Sequence, residues 1–186
     1  QKFKYPPETM LSHTFYKTHT AEFYDFYRQK LIVHGAKPNA AHLRLAKLER
    51  EGKCKAVVTQ NIDGLHQKAG SKKVYELHGT IYKNHCTRCG KAYDVSFVEA
   101  CEGVPHCECG GVIKPDVVLY GESLDSTVIE GSLRAISGAD LLIVGGTSLT
   151  VYPAAGLIDA YPGHRLVLVN KTATGRDARA DLVLRE

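Results

Sequence analysis

The sequence predicts an α/β fold in which a doubly wound parallel sheet carries a small second lobe. Several short segments are continuously apolar, as strands buried on both faces of a parallel sheet are. Segments with helical spacing separate these strands along the chain. Between Tyr82 and Val112 the composition changes to Cys, Gly and charged residues. A module of different character is therefore expected to interrupt the sheet there.

Two amphipathic helices are predicted before the first strand. In residues 20–31 aromatic side chains recur at helical spacing behind Thr20, a residue that can cap a helix. Residues 40–51 repeat the spacing with leucines and end at Gly52, as helices often do. We expect the aromatic residues of the first helix to belong to the core.

Strands and helices alternate in the rest of the chain. The apolar runs predict strands at residues 56–59, 74–77, 141–144, 166–169 and 181–184. Helices are predicted at residues 126–136 and 153–160, the second with Pro153 near its first turn. This order is typical of a Rossmann-like domain.

The chain is expected to divide into four segments. Residues 1–39 form the helical part of the small lobe, residues 40–80 and 114–186 form the two parts of the Rossmann-like domain, and residues 81–113 form the inserted module. With 186 residues, 44% of them hydrophobic and 24% charged, the chain is long enough for one sizeable core and a small second lobe.

Charge and hydropathy argue against nucleic-acid and membrane partners. The net charge of +4 comes from interspersed acids and bases with no long Lys/Arg block, so we do not expect nucleic acid to bind. No apolar run approaches the length of a membrane span, and residues 1–7 are unlike a signal peptide. We expect a cytoplasmic protein with no membrane partner. Because it lacks an initiator Met, we expect the chain to start partway into a domain.

Four cysteines of the inserted module have the spacing of a metal site. They form the pairs Cys86-x-x-Cys89 and Cys107-x-Cys109, and a glycine follows each pair. Two such turns aim four thiolates at one point and build the tetrahedral site that Zn²⁺ prefers. Four thiolates leave no open position for water, so the predicted zinc is structural and the module is a zinc ribbon.

Other assignments of the cysteines stay open. The second pair is one residue tighter than usual, which makes Cys101, His85 and His106 alternative ligands. Disulfides are a further alternative, which a reducing cytosol disfavours. Cys54 lies alone at a helix-strand junction and is most simply a buried small side chain.

Polar side chains directly follow the first predicted strand. Gln60, Asn61 and Asp63 come where open α/β sheets hold their ligands, in the crevice beyond the carboxyl ends of the strands. The stretch therefore predicts a binding loop. A polar turn in which Asp63-Gly64 only reverses the chain would also fit.

Three later strand ends bring polar groups to the same crevice. His78 follows the second strand, and an imidazole has the pKa of a general base near neutral pH, although a lone histidine there is more often structural. Residues 145–148, Gly-Gly-Thr-Ser, offer backbone N–H groups and hydroxyls to a phosphate. Asn170 and Lys171 end a strand where a doubly wound fold commonly meets a ribose.

Taken in order, these motifs resemble those of bacterial-type sirtuins, the NAD-dependent protein-lysine deacylases. The matching stretches are TQNIDGLHQKAG, ELHG, the paired cysteines, KPDVVLYGE, GTSLTVYPAAG and VNK, and they span nearly the whole chain. The resemblance implies a deacetylase that transfers the acetyl group from lysine to ADP-ribose, releases nicotinamide and consumes NAD. Acetylated proteins or peptides would be its partners, and Zn²⁺ its structural metal.

The resemblance also implies roles for individual residues. His78 matches the general base. The cofactor-binding residues would be Gln60, Asn61, Ile62 and Asp63 around nicotinamide and ribose, and Gly146, Thr147, Ser148, Asn170 and Lys171 toward the adenosine and diphosphate. The segment Val117, Val118, Leu119, Tyr120, Gly121 and Glu122 would pair its backbone with the substrate peptide.

The chain departs from the family in a few places. The Gly-Ala-Gly phosphate loop and the Asp-Phe-Arg stretch of sirtuins do not occur in these 186 residues, so we expect them outside the covered part of a longer chain. The Cys-x-Cys pair replaces the commoner Cys-x-x-Cys, and Tyr120 replaces the Phe frequent before Gly-Glu.

Two other classes of protein would explain part of the sequence. A zinc-ribbon module that binds nucleic acid would leave the polar strand ends and His78 without a purpose. An NAD dehydrogenase would give the inserted ribbon no role.

The helix of residues 20–31 bears on acyl selectivity. Sirtuins that prefer acidic acyl chains carry a Tyr and, three residues later, an Arg on the matching helix. Here Tyr24 is followed at that spacing by Tyr27, and Arg28 lies about 100° further round the helix. We therefore expect acetyl-lysine to be preferred over succinyl-lysine.

Overall fold

Four helices open the chain in the computed structural model, which describes residues 3–185. They are α1 (Pro7–Met10), α2 (His13–Thr18), α3 (Thr20–Lys30) and α4 (Ala40–Arg50). The Ser12 hydroxyl caps α2 by accepting from the Phe15 N–H, and the Asn39 side chain caps α4 in the same way. Both amphipathic helices predicted from the sequence are confirmed, each to within one residue.

The parallel strands form two sheets. In the first, β1 (Val57–Thr59) pairs with β2 (Val74–Glu76), and α5 (Leu65–Ala69) connects them. In the second, β6 (Leu142–Gly145), β7 (Leu166–Val169) and β8 (Leu182–Leu184) pair in that order, and α7 (Ser126–Ser137) precedes them. The predicted parallel α/β class is confirmed. Within residues 3–185 β1 and β6 do not pair with each other, so the parallel strands lie in two separate sheets.

The helix predicted at residues 153–160 is a 3-10 helix, Ala154–Ala160. Gly156 lies inside it, and glycine is a poor residue for an α-helix interior. The Gly156 N–H bonds to the Pro153 carbonyl three residues back, at 3.0 Å. A second 3-10 turn, Asp177–Arg179, precedes β8.

An antiparallel sheet makes up the inserted module. Its order is β4 (Ala92–Asp94), β3 (Gly79–Cys86) and β5 (Ile113–Val117), with α6 (Val95–Ala100) after β4. The pairing of β3 with β5 joins Cys86 to Ile113 at one end and Gly79 to Val117 at the other. The strand β5 therefore runs from the cysteines back to the parallel strands.

Two hydrophobic clusters hold these elements together. The first joins the opening helices to the antiparallel sheet and includes Phe23, Tyr24, Ile81 and Ile113. The second lies between the second parallel sheet and its helices and includes Ile136, Ile158, Leu166 and Leu168. Among residues 3–185 no helix combines the length and the apolar character that crossing a membrane requires.

Candidate functional site

A cavity of about 510 Å³ lies beyond the carboxyl ends of β1 and β2. Its wall consists of Leu11, Leu31, Gln60, Asn61, Ile62, Asp63, His78, Val117, Val118, Leu119, Tyr120, Gly121, Glu122, Leu124, Val151, Tyr152 and Pro153. The predicted base, the first predicted cofactor loop and the predicted peptide segment therefore share one cavity. Both hydrophobic clusters contribute to its wall.

The backbone fixes His78 at the turn between β2 and β3. Its carbonyl accepts from the Val118 N–H at 3.0 Å. The next residue, Gly79, has a φ of +73°, and a Cβ there would lie 1.8 Å from the Asp116 carbonyl oxygen. Only glycine can adopt that φ and let the backbone come so close to the Asp116 carbonyl. The sharp turn leaves the imidazole on the cavity wall.

A carbonyl orients the ring of His78. The Nδ1 atom lies 3.0 Å from the Gln60 carbonyl oxygen. Because a carbonyl only accepts, Nδ1 carries the proton of the neutral ring, and Nε2 is left to accept one. This is the tautomer that a general base requires.

The loop after β1 is held by its own side chains. Asp63 Oδ1 accepts from the Leu65 N–H at 3.0 Å, and Asp63 Oδ2 lies 3.4 Å from Asn61 Nδ2. The Ile62 carbonyl accepts from the Ile81 N–H at 3.2 Å, which ties the loop to β3. A carboxylate and an amide thus occupy fixed positions where they can orient a polar ligand.

The segment 117–122 is already bonded within the chain at its centre. Tyr120 donates its N–H to the Leu11 carbonyl and accepts from the His13 N–H, both at 2.9 Å. While these bonds hold, Tyr120 cannot offer its backbone to a peptide. Tyr120 still lines the cavity, and the residue is 50% exposed.

The second predicted cofactor set lies beside the cavity and does not line it. Its members, Gly146, Thr147, Ser148, Asn170 and Lys171, follow β6 and β7, whose parallel pairing brings their ends to one edge. Gln60 Nε2 donates to Thr147 Oγ1 at 3.2 Å, so the two sets meet there. The side chains of Ser148 and Asn170 bond within their own loops.

Six wall residues were not predicted from the sequence: Leu11, Leu31, Leu124, Val151, Tyr152 and Pro153. They are apolar or aromatic, and such residues mark a core as readily as a ligand wall. The last three belong to the stretch GTSLTVYPAAG, whose resemblance to the sirtuin motif is a signal that could have identified them.

The four paired cysteines form one compact group. The Sγ atoms of Cys86, Cys89, Cys107 and Cys109 all lie within 4.8 Å of one another. Two of the separations are 3.4 Å, between Cys86 and Cys109, and 3.6 Å, between Cys89 and Cys107. A tetrahedral Zn²⁺ with Zn–S bonds of 2.3 Å requires about 3.8 Å between sulfurs. The predicted ligand set therefore fits the metal.

The surroundings of Cys86 and Cys107 favour their thiolates, whereas hydrogen bonding to Cys86 raises the pKa of Cys109. The Arg88 N–H donates to Cys86 Sγ at 3.4 Å, and the Tyr93 hydroxyl donates to Cys107 Sγ at 3.1 Å. The Tyr93 hydrogen bond lowers the pKa of the Cys107 thiol to about 6. At Gly111 a Cβ would lie 2.6 Å from Cys86 Sγ, so the turn beside the group has no room for a side chain.

The alternative ligands do not join this group among the described residues. His85 bonds to Asp116, and His106 Nδ1 lies 2.8 Å from the Val104 carbonyl oxygen. Cys101 is outside the group as well. All six cysteines are free thiols, which excludes the disulfide alternative in this structure.

The helix α3 presents no cation to the cavity. Tyr24 and Tyr27 are fully buried in the first cluster, and the Tyr24 hydroxyl donates to the Ile113 carbonyl. Arg28 donates to the carbonyls of Val98 and Gly103 in the inserted module. No Lys or Arg is among the wall residues that the structure describes.

The sequence also matches known proteins. A sequence model of the Sir2 family matches residues 2–153. The chain is 62% identical over 184 residues to the NAD-dependent protein deacetylase of Clostridium acetobutylicum, covering 98% of this chain and 75% of that protein. It is 56% identical over 184 residues to the protein of the same name from Clostridium perfringens, with the same coverage of 98% and 75%.

Solved structures agree with the sequence matches. Sir2 bound to an acetylated peptide superposes with a TM-score of 0.91 at 42% identity, covering 100% of this chain and 81% of that chain. Sir2 with a p53 peptide and NAD⁺ gives a TM-score of 0.89 at 41% identity, covering 100% and 81%. Since the family model covers most of the chain and these relatives share its fold, this chain belongs to the Sir2 family.

Proposed function

We propose that this chain is the core of an NAD-dependent protein-lysine deacetylase, which transfers the acetyl group from lysine to ADP-ribose and releases nicotinamide. The observation that carries the proposal is the cavity, because its wall gathers His78, residues 60–63 and residues 117–122. The names of the deacetylase relatives support it, as do the Sir2 structures with NAD⁺ and acetylated peptide.

The polar side of the cavity suits NAD. When bound, NAD supplies a ribose carbon that takes the acyl oxygen as nicotinamide leaves. Gln60, Asn61, Ile62 and Asp63 would hold the nicotinamide and its ribose. Gly146, Thr147, Ser148, Asn170 and Lys171 would hold the adenosine and diphosphate end, and the bond from Gln60 to Thr147 supports a continuous site.

The chain's own residues then have separable tasks. Asp63 and Asn61 would orient the ribose, since the Leu65 N–H holds the carboxylate in place. The apolar wall at Leu11 and Leu31 would exclude water from the acyl group. His78 would take a proton from a ribose hydroxyl at Nε2 while Nδ1–H stays on the Gln60 carbonyl.

The zinc ribbon, the division of the chain and its location complete the proposal. Cys86, Cys89, Cys107 and Cys109 would hold one structural Zn²⁺, which the fit of their sulfurs supports. Two buried clusters support the proposed division of the chain into residues 1–39, 40–80, 81–113 and 114–186. One cluster joins the opening helices to the ribbon, and the other lies in the Rossmann-like part. We propose the cytoplasm as the location, because paired cysteines that form a metal site are typical of reducing compartments.

One experiment tests the activity. Full-length protein is incubated with an acetyl-lysine peptide and NAD, and the products are analysed by mass spectrometry. We expect nicotinamide, free lysine peptide and O-acetyl-ADP-ribose in equal amounts, and none of them when NAD is omitted. Formation of NADH, or loss of acetyl without release of nicotinamide, would contradict the proposal.

A further inference from the structure

Glu122 belongs to the cavity wall, and internal donors occupy most of the acceptor sites of its carboxylate. Its side chain is 18% exposed. Oε1 lies 2.8 Å from His13 Nδ1, and Oε2 accepts from Lys114 Nζ at 3.0 Å and from the Leu119 N–H at 2.9 Å. The three donors come from the start of α2, from β5 and from the cavity wall itself.

The partner ammonium is engaged in the same way. The Lys114 side chain is 15% exposed. Besides Glu122, its Nζ lies 3.1 Å from the Val117 carbonyl oxygen and 3.3 Å from that of Pro115. An ammonium has three protons, and these three acceptors use all of them. Lys114 and Glu122 therefore bind both ends of the segment 117–122 to β5.

The same segment is also attached to the start of α2. The bonds of Tyr120 to Leu11 and His13 add to the contact between Glu122 and the His13 ring. The wall, β5 and the opening helices thus meet at one carboxylate.

We propose that Glu122 is a positioning residue for the acetylated peptide: its carboxylate holds the segment 117–122 in the shape that receives the peptide and does not contact the peptide itself. The inference rests on the proposed function of the cavity. A carboxylate has about four acceptor sites, and three internal donors already use three of them. A direct contact with a basic side chain of the peptide would have to compete with these bonds. A largely buried ion pair that loses one partner leaves the other charge unpaired, so the wall should loosen when Glu122 is replaced.

The test compares Glu122→Gln with the wild type on two acetyl-lysine peptides, one with neutral and one with basic flanking residues. We expect the KM for both peptides to rise by the same factor, on the order of tenfold for the loss of charged hydrogen bonds. The kcat at saturating peptide and the KM for NAD should change by less than about twofold. A loss confined to the basic peptide would mean direct contact and would overturn the proposal.

Two further variants separate positioning from a general loss of stability. Lys114→Gln should raise the peptide KM as Glu122→Gln does, and the double variant should be little worse than either single one, because both remove the same ion pair. Glu130→Gln is the matched control: Glu130 pairs with Arg134 at 3.7 Å, and the two side chains are 66% and 74% exposed. Its kinetics should equal those of the wild type.

Two measurements without turnover complete the design. Hydrogen exchange at the amides of Leu119 and Tyr120 should be at least about tenfold faster in Glu122→Gln, since these amides are protected only while the hydrogen bonds of the Glu122 carboxylate hold the segment in place. Binding of fluorescent acetyl peptide without NAD gives the affinity directly. A wild type that binds the peptide but releases no nicotinamide would refute the proposed function alone. An active wild type with unchanged exchange and KM in Glu122→Gln would refute this inference alone.

Discussion

At the scale of single residues, His78 is oriented by the backbone, through the Gln60 carbonyl and the Val118 N–H. The replacement His78→Ala removes the proposed general base and leaves those backbone groups in place. We expect the variant to keep its fold and its affinity for NAD and to lose about a hundredfold or more in turnover, the usual contribution of a general base. Nicotinamide release and calorimetric NAD binding measure the two effects.

The matched control for this variant is His164→Ala, which removes an exposed histidine outside the cavity wall. It should turn over like the wild type. Near-normal deacetylation by a folded His78→Ala protein would remove His78 from the mechanism.

His66 makes stability depend on pH. Burial lowers the pKa of its imidazole, the neighbouring His42 lowers it further, and Asp63 opposes both. A histidine whose pKa is lowered by folding stabilises the fold above its unfolded pKa of about 6.5, and this contribution is lost as the pH falls through the folded pKa. We expect the wild type to lose more of its free energy of unfolding than His66→Gln does between roughly pH 7.5 and pH 5.5.

Urea denaturation at the two pH values measures that difference, with His164→Gln as the exposed control. Equal losses in wild type and His66→Gln would show that His66 titrates alike in the folded and unfolded chain.

The polar residues of the site could be predicted because polar groups after buried strands are unusual. Asn61, Asp63 and His78 follow apolar runs and meet at the cavity. Leu11 and Leu31 could not be predicted in this way, since an apolar residue on a helix has the same appearance whether it faces a core or a ligand.

At the scale of elements, the zinc ribbon depends on four sulfurs and one glycine. Cys89→Ser should lower the zinc content and destabilise the ribbon, whereas Cys101→Ser should leave one Zn²⁺ per chain. Gly111→Ala should lower the zinc content too, because its Cβ would meet Cys86 Sγ at 2.6 Å. Metal analysis of the purified variants measures this. Zinc lost from Cys101→Ser would show that the ligand assignment is wrong.

The helix α3 makes a prediction about acyl selectivity. Since Arg28 is bound to the carbonyls of Val98 and Gly103, no cation of α3 reaches the cavity, whose wall there is Leu31. A succinyl carboxylate would be buried without a partner, which is costly. We expect a higher kcat/KM for acetyl than for succinyl peptide of matched sequence. Leu31→Arg should lower the ratio of the two kcat/KM values, and Leu31→Met should leave the ratio unchanged. Equal or better succinyl turnover by the wild type would mean that a cation reaches the acyl group.

The positions of elements with strong periodicity could be predicted from the sequence, but the type of helix could not. The strand at residues 166–169 has the predicted bounds, and α3 ends one residue early. The helix at residues 153–160 was predicted in place, but Gly156 and its neighbours form 3-10 bonds that hydrophobic spacing does not distinguish.

At the scale of the whole molecule, pairings between distant segments could not be predicted. The bond between His13 and Glu122 joins residues 109 positions apart, and no spacing rule links them. The cavity arises from such contacts, because its wall draws on the opening helices, the loop after β1 and the end of β5. The family resemblance supplied the residues but not these internal bonds.

The course of β5 has a practical consequence. At one end Ile113 pairs with Cys86, and at the other, roughly 13 Å away, Val117 lines the cavity. A chelator that strips zinc from the ribbon should therefore inactivate the enzyme, even though a site of four thiolates has no open position for a substrate. We expect activity to decay in EDTA with the same half-life as zinc release reported by an indicator dye, and early zinc addition to restore it. Full activity in the zinc-stripped protein would show that β5 holds the cavity wall without the ribbon. If activity does follow zinc content, the chelators in assay and storage buffers will determine the specific activity that is measured.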